Sequence, residues 1–236
     1  MDVIRRIWNR KDLFNQNYFE TIDTFDKAYF LGLLMADGYV NHKYIKLSLQ
    51  EDDKPILEKF KSIVNSNREF YFTDKRRIKK KSKNQFVFAL YSVKMVRDLE
   101  KYGVIKAKSH KTYFPNIPEE FYSHFIRGVF DGDGCLTISK KGDAQFYIIG
   151  NDLLIKKIQE ILMKECNLKE TKLKHDKLHK DNTISIAYGG NRQIERIGNY
   201  LYQSCEDLFL ARKKEKFDKI KNRINRQTIS KETLEY

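Results

Sequence analysis

Two short segments constrain this chain more than any other feature: FLGLLMADG, from Phe30 to Gly38, and IRGVFDGDG, from Ile126 to Gly134. Each carries a glycine, a small residue one turn later, and then Asp-Gly. Helical period puts Gly32 and Ala36 on one face of the first segment, and Gly128 and Gly132 on one face of the second. Small residues at that spacing let two helix backbones approach closely. The expectation is a helix pair packed through these faces, with its C-terminal ends together and Asp37 beside Asp133 across a pseudo-twofold axis. A carboxylate in the last turn opposes the helix dipole. Two adjacent carboxylates also repel, so a cation is expected to neutralise them. Their oxygens and the helix-end carbonyls of Ala36 and Gly132 are hard donors suited to Mg²⁺.

The same element order follows each segment. After a helix over about Asp26 to Asp37, capped by Thr24 or Asp26, YIKLSLQ alternates as a half-buried strand. DDKPILEKFKSIVN reads as a helix with Asp52 or Asp53 as cap and Pro55 in its first turn. REFYFTD and NQFVFALYS read as a hairpin, and VKMVRDLEKYG as a helix closed by Gly103. In the second half come EEFYSHFIRGVFDGDG, the strands CLTISKK and AQFYIIG, a helix capped by Asp152, a second hairpin and the helix RQIERIGNYLY. A terminal amphipathic helix carries Phe209, Phe217, Ile220 and Ile224 along one face. Each half therefore reads α-β-β-α-β-β-α, a duplication rather than a repeat array. The divisions are a basic leader over 1–24, halves over 25–115 and 116–226, and a tail over 227–236.

Charge narrows the partner. Among 236 residues, Lys+Arg number 46 against Asp+Glu 32, a formal +14. Such an excess fits a polyanion, most often nucleic acid. Seven basic residues and no acid fall between Lys75 and Lys83, at the tip of a hairpin. The apolar runs near Leu33 and Val129 are too short to span a bilayer, and the N-terminus lacks a signal-peptide core, so an intracellular protein is expected. Cys135, Cys166 and Cys205 lack metal-ligand spacing and are expected as buried thiols. His175 and His179 lie in a lysine-rich hairpin without a third ligand and are read as surface histidines.

These motifs resemble the two signature helices of the LAGLIDADG homing endonucleases in their single-chain, two-motif form. The resemblance runs from about Phe25 to Ile224; IDTFDKAYFLGLLMADG is similar to family N-termini, and YLYQSCEDLFLARKKEKF to the family's C-terminal helix region. It implies an α+β fold, the duplicated αββαββα arrangement with two antiparallel β-saddles around a central two-helix interface. It implies a monomer that cuts both strands of a long duplex DNA site, pseudo-symmetric or asymmetric, across the minor groove, leaving short 3′ overhangs. The implied cofactor is Mg²⁺, two or more ions, with Mn²⁺ able to substitute. The host compartment would be a bacterial or phage cytoplasm or an organelle matrix.

By position in the motifs, Asp37 and Asp133 would bind metal, joined by the carbonyls of Ala36 and Gly132. Lys108, Lys213 and Gln50 would order water near the scissile phosphates. Outward strand residues Lys46, Ser48, Thr137 and Ser139 would read bases. Lys75, Arg76, Arg77, Lys79, Lys80, Lys81 and Lys83 in one tip, with Lys140, Lys172, Lys174 and Lys177 in the second half, would grip phosphates. Met35 stands where the second motif has Asp131. The counterpart of Gln50 is read as Gly150, with Asn151 as a substitute, and unequal cutting of the two strands is expected from that difference. The rival readings are an RNA maturase or a DNA-binding protein of the same fold without cleavage. An intein core is disfavoured because no protein-splicing residues are apparent.

Overall fold

A computed structural model of the chain describes residues 13–74, 83–105, 112–175 and 183–232. The first half runs α1 (Phe25–Ala36), β1 (Gly38–Val40), β2 (Tyr44–Gln50), α2 (Lys54–Ile63), β3 (Tyr71–Thr73), β4 (Gln85–Tyr91) and α3 (Val93–Lys101). The second repeats the order: α4 (Tyr122–Asp133), β5 (Gly134–Ile138), β6 (Ala144–Asn151), α5 (Asp152–Cys166), β7 (Lys174–His175), β8 (Thr183–Gly189) and α6 (Asn191–Tyr202). A last helix, α7, spans Ala211–Glu232. Among the described residues the strands form two four-stranded antiparallel sheets, ordered β1-β2-β4-β3 and β5-β6-β8-β7.

Strand alternation buries Ile45, Leu47 and Leu49 on the inner side of β2 and Phe146 and Ile148 on that of β6. Equivalent registers relate the sheets: Gly38 faces Leu47 in the first, and Gly134 faces Ile148 in the second. Counting on from those pairs, the counterpart of Gln50 is Asn151, not Gly150. Gln50 faces Gln85, and Asn151 faces Thr183. The three-residue β1 is too short for its alternation to stand out in the sequence.

Several expected caps fall elsewhere. Asn151, not Asp152, caps α5, its side chain accepting from the Leu153 N–H at 3.1 Å. Asp53 stands at the N-cap of α2 without accepting from the helix. Its buried carboxylate instead takes Arg212 Nε at 3.0 Å, while Asp52 takes Lys83 at 2.6 Å. Thr24 makes no side-chain cap bond, and Asp26 accepts from the Tyr18 hydroxyl. Gly103 does close α3, at φ +83°. Ser139 lies past β5, in a turn where its hydroxyl accepts from the Asp143 N–H. Phe209 precedes α7 and packs edge-on against Tyr202, and α7 continues through 227 to Glu232. Cys135 is exposed, whereas Cys166 and Cys205 are buried.

One continuous apolar core runs through both halves. Phe30 of α1 stacks on Phe60 of α2, and Phe130 of α4 stacks on Phe146 of β6. Residues ahead of α1 join it: Tyr18, Phe19 and Ile22 are buried, with Tyr18 and Phe19 against Phe60. The carbonyl of Val64 ties down the Asn15 N–H. Among the described residues no helix is long and apolar enough to cross a membrane.

Candidate active site and nucleic-acid interface

The helices α1 and α4 form the centre of the molecule, and glycine sets their separation. A Cβ on Gly32 would lie 2.1 Å from the Phe125 carbonyl oxygen and 3.0 Å from the Val129 nitrogen. A Cβ on Gly128 would lie 2.1 Å from the Tyr29 carbonyl oxygen and 2.7 Å from the Leu33 nitrogen. The same relative positions meet on both sides, which is the signature of a local twofold. Further along, a Cβ on Gly132 would lie 2.3 Å from the Ala36 methyl and 3.4 Å from the Asp37 carboxyl carbon. The small-residue faces read from the sequence are therefore the contact, and they bring Asp37 against the end of α4.

Asp37 and Asp133 are both exposed at the helix tips, and Ala36 and Gly132 beside them are half-buried. Asp37 follows α1 as its C-cap, with its N–H bonded to the Leu33 carbonyl, and Asp133 is the last residue of α4. Among the described residues no group of three or more His, Cys, Asp or Glu side chains could hold a metal. The donors that the sequence reading names, two carboxylates with helix-end carbonyls, are all hard oxygens with no thiolate or imidazole. That chemistry fits Mg²⁺, which keeps several waters and takes one or two protein carboxylates with substrate phosphate oxygens. It does not fit a structural zinc site.

Beneath the tips lies a buried polar network that the sequence did not announce. Asp131 Oδ2 accepts from the Tyr29 hydroxyl of α1 and from the Leu210 N–H, each at 2.9 Å. Asp131 Oδ1 is buried without a hydrogen-bond partner among the described residues. Burial pushes this carboxyl up to about 6, against the pull of the Lys213 ammonium. Lys213 itself is buried and donates to the carbonyls of Phe130, Asp131 and Gly134 at 2.5, 2.6 and 2.8 Å. All three donors of its ammonium go to backbone at the end of α4. Burial lowers it to about 8, while Asp131 and Asp37 draw it upward. Lys213 is a C-terminal clamp on α4, within electrostatic reach of Asp37 and set under Asp133. Two further members are Arg127 and His124. The buried guanidinium donates to the Leu208 and Leu201 carbonyls, each at 2.7 Å, and reaches His124 Nδ1 at 3.0 Å. Burial, then the Arg127 charge, lowers His124 to about 4. The available signals were Asp131, an acid opposite Met35, and Arg127, a charge inside an apolar run.

No protein-family model matches the sequence, and no curated protein matches it. Solved structures do. The I-LtrWI LAGLIDADG homing endonuclease bound to target DNA aligns at TM-score 0.56 and 14% identity, over 91% of this chain and 92% of that one. The homing endonuclease I-WcaI bound to its DNA recognition sequence aligns at 0.57 and 14%, over 86% and 91%. The I-SmaMI LAGLIDADG homing endonuclease bound to cleaved DNA aligns at 0.54 and 12%, over 89% and 92%. The chain has the LAGLIDADG homing endonuclease fold.

In the LAGLIDADG fold of this chain the outer sheet faces differ in character. On the first sheet, Lys46, Ser48 and Gln50 lie outward on β2. A row of tyrosine rings joins them: Tyr44 is 5.8 Å from Tyr39 and 4.9 Å from Tyr91. The Lys46 ammonium sits 4.9 Å over Tyr39, and the Arg68 guanidinium 4.5 Å over Tyr91. On the second sheet Cys135 and Thr137 face Tyr147 and Gln145. The Gln50 Nε2 is buried without a hydrogen-bond partner among the described residues. Its counterpart Asn151 is committed to capping α5. Exposed Lys83, Lys140, Lys172 and Lys174 stand near the strand ends. Lys75, Arg76, Arg77, Lys79, Lys80, Lys81, Lys108, Lys177 and His179 lie outside the described residues.

Proposed function

We propose that this chain is a monomeric, intracellular, site-specific endonuclease that cuts both strands of duplex DNA, with Asp37 and Asp133 as its metal ligands. One observation supports the reading: two exposed aspartates end two helices whose backbones touch through glycine, an arrangement in which the two carboxylates would serve one site. A pure binding protein has no need of that pair.

When bound there, Mg²⁺ would supply Lewis acidity, activating water and stabilising the leaving oxygen of a phosphodiester. Asp37 and Asp133 would hold the ions, with the carbonyls of Ala36 and Gly132 as further donors. Lys213, by fixing the carbonyls on either side of Gly132, keeps the α4 end in one conformation. It acts there as a positioning residue, since its own protons are spent on backbone. The glycine contacts would hold the two carboxylates at one spacing, and with it the distance between the two cuts. The outer sheet faces would read a long site in the major groove, which accepts a β-ribbon. Lys46, Ser48 and Thr137 are outward in those faces, and the exposed lysines at the strand ends would hold phosphates.

The test is cleavage of a randomised duplex library with Mg²⁺ or Mn²⁺, followed by sequencing of the product ends. Enrichment of one long site, cut on both strands with short 3′ overhangs, is the expected result. Metal-dependent binding without any cut product would replace the nuclease with a DNA-binding protein.

A further inference from the structure

The outer face of the first sheet is built largely from carbon. Tyr39 of β1, Tyr44 of β2 and Tyr91 of β4 point outward in one row that crosses three neighbouring strands. Neighbouring strands lie about 4.8 Å apart, so the row spans about 10 Å. Beside it, Ala89 and Val87 of β4 stand opposite Lys46 and Ser48, and Tyr71 of β3 stands opposite Val87, so the apolar surface continues along the same face. The rings are open to solvent: Tyr39 is 45% exposed and Tyr91 39%. Tyr39 lies two residues beyond Asp37, so the row begins beside the candidate centre.

Cross-strand pairing stabilises a sheet and accounts for the ring-to-ring contacts. It does not account for ring surface left open on the face given to DNA, and the fold does not require rings there. At the matching register positions the second sheet has Cys135, Gln145 and Gly189 in place of Tyr39, Tyr44 and Tyr91, and Tyr147 in place of Lys46. The two cations of the first face are set among its rings. Lys46 lies over Tyr39, while Arg68 lies over Tyr91 and donates to the Tyr71 hydroxyl at 3.1 Å. Their charge suits phosphate, and the ring carbon beside them suits an apolar group on a base edge. In the major groove that group is the thymine C5-methyl.

We infer that the tyrosine row reads thymine methyl groups, so that the DNA arm under the first sheet carries preferred T·A pairs within a window of about three base pairs, the number that fits 10 Å at 3.4 Å per step. The inference rests on the proposed DNA-cleaving reading and adds the base class that one arm must supply. Ring carbon packs on the methyl, which cytosine and uracil lack, and the adenine partner goes unread by the row. The preference belongs to one arm, because the second face has no matching row.

The experiment uses the full-length protein and the duplex selected by cleavage, with each thymine replaced in turn by uracil, which removes the methyl and leaves base pairing intact. Binding is measured in Ca²⁺, and circular dichroism checks that each variant is folded. Wild type should bind about fourfold more weakly for each methyl that is read, the worth of one buried methylene-sized group, at neighbouring positions of one arm. Tyr39→Ala and Tyr91→Ala should each lose the effect at one or more of those positions, whereas Tyr39→Phe, which keeps the ring, should retain it. Tight binding by wild type with no uracil effect at any position overturns the inference and leaves the nuclease reading standing. So does an effect that persists unchanged in both alanine variants, or one that Tyr39→Phe loses as Tyr39→Ala does, which would assign the contact to the hydroxyl. Failure of the wild type to bind any duplex overturns both readings.

Discussion

Gly32 and Gly128 each stand where a methyl group would meet a carbonyl oxygen at 2.1 Å, and no rotation of a side chain can relieve a clash with backbone. Gly128→Ala should therefore force the helices apart. The expected cost is about 3 kcal/mol of unfolding free energy, at the upper end for overpacked cores, read by urea denaturation; an unchanged midpoint would contradict the close approach. Below them, Asp131 and His124 respond to pH in opposite senses. The Asp131 carboxyl titrates at about 6 in the fold against 3.8, so its share of stability is full below pH 4 and is lost as pH rises through 6. His124 titrates at about 4 against 6.5, so its share is full above pH 6.5 and is lost as pH falls toward 4. In wild type the two terms oppose each other across pH 4 to 6.5. Asp131→Asn should gain on wild type as pH rises from 4 to 7, by up to about 3 kcal/mol, whereas His124→Phe should lose ground over the same range. Denaturation curves for the variants that run parallel to wild type at both pH values would refute the assignment.

At the scale of elements, the α4 end shows what was legible and what was not. Periodicity and the paired Asp-Gly ends suffice to locate α1 and α4, their contact face and the two exposed aspartates. These features depend on local pattern, which a sequence displays directly. The roles of Lys213, Asp131 and Asn151 depend on which backbone groups lie nearby after folding. Lys213 reads as a solvated or catalytic lysine because nothing local reveals the α4 carbonyls that receive it. Asp152 reads as the better cap than Asn151 because both residue types cap helices; only the backbone geometry, extended at Asn151, decides. The same geometry separates the halves. Asn151 is spent on α5 while Gln50, equivalent by register, makes no cap. At this register position the first half thus leaves its amide uncommitted to a cap, and the second does not.

Across the whole molecule, duplication explains why one chain can present two acids symmetrically while the supports beneath them differ. The first motif places Met35 in the core, and the second places Asp131 in a hydrogen-bonded link to Tyr29 and Leu210. The two sheets also differ: the first carries a tyrosine row, and the edge of the second meets α7, whose Lys216 donates to the Leu136 carbonyl of β5. On the proposed reading, a target read by such a pair would be asymmetric in detail even where the protein backbone is nearly twofold. The excess of +14 predicts binding that weakens steeply with salt. The most direct measurement is cleavage of a supercoiled plasmid bearing the selected site by wild type, Asp37→Asn and Asp133→Asn in Mg²⁺, with DNA affinity measured in parallel. Both variants should bind with near wild-type affinity and make no linear product. Wild-type linearisation by either variant would contradict a shared two-aspartate centre.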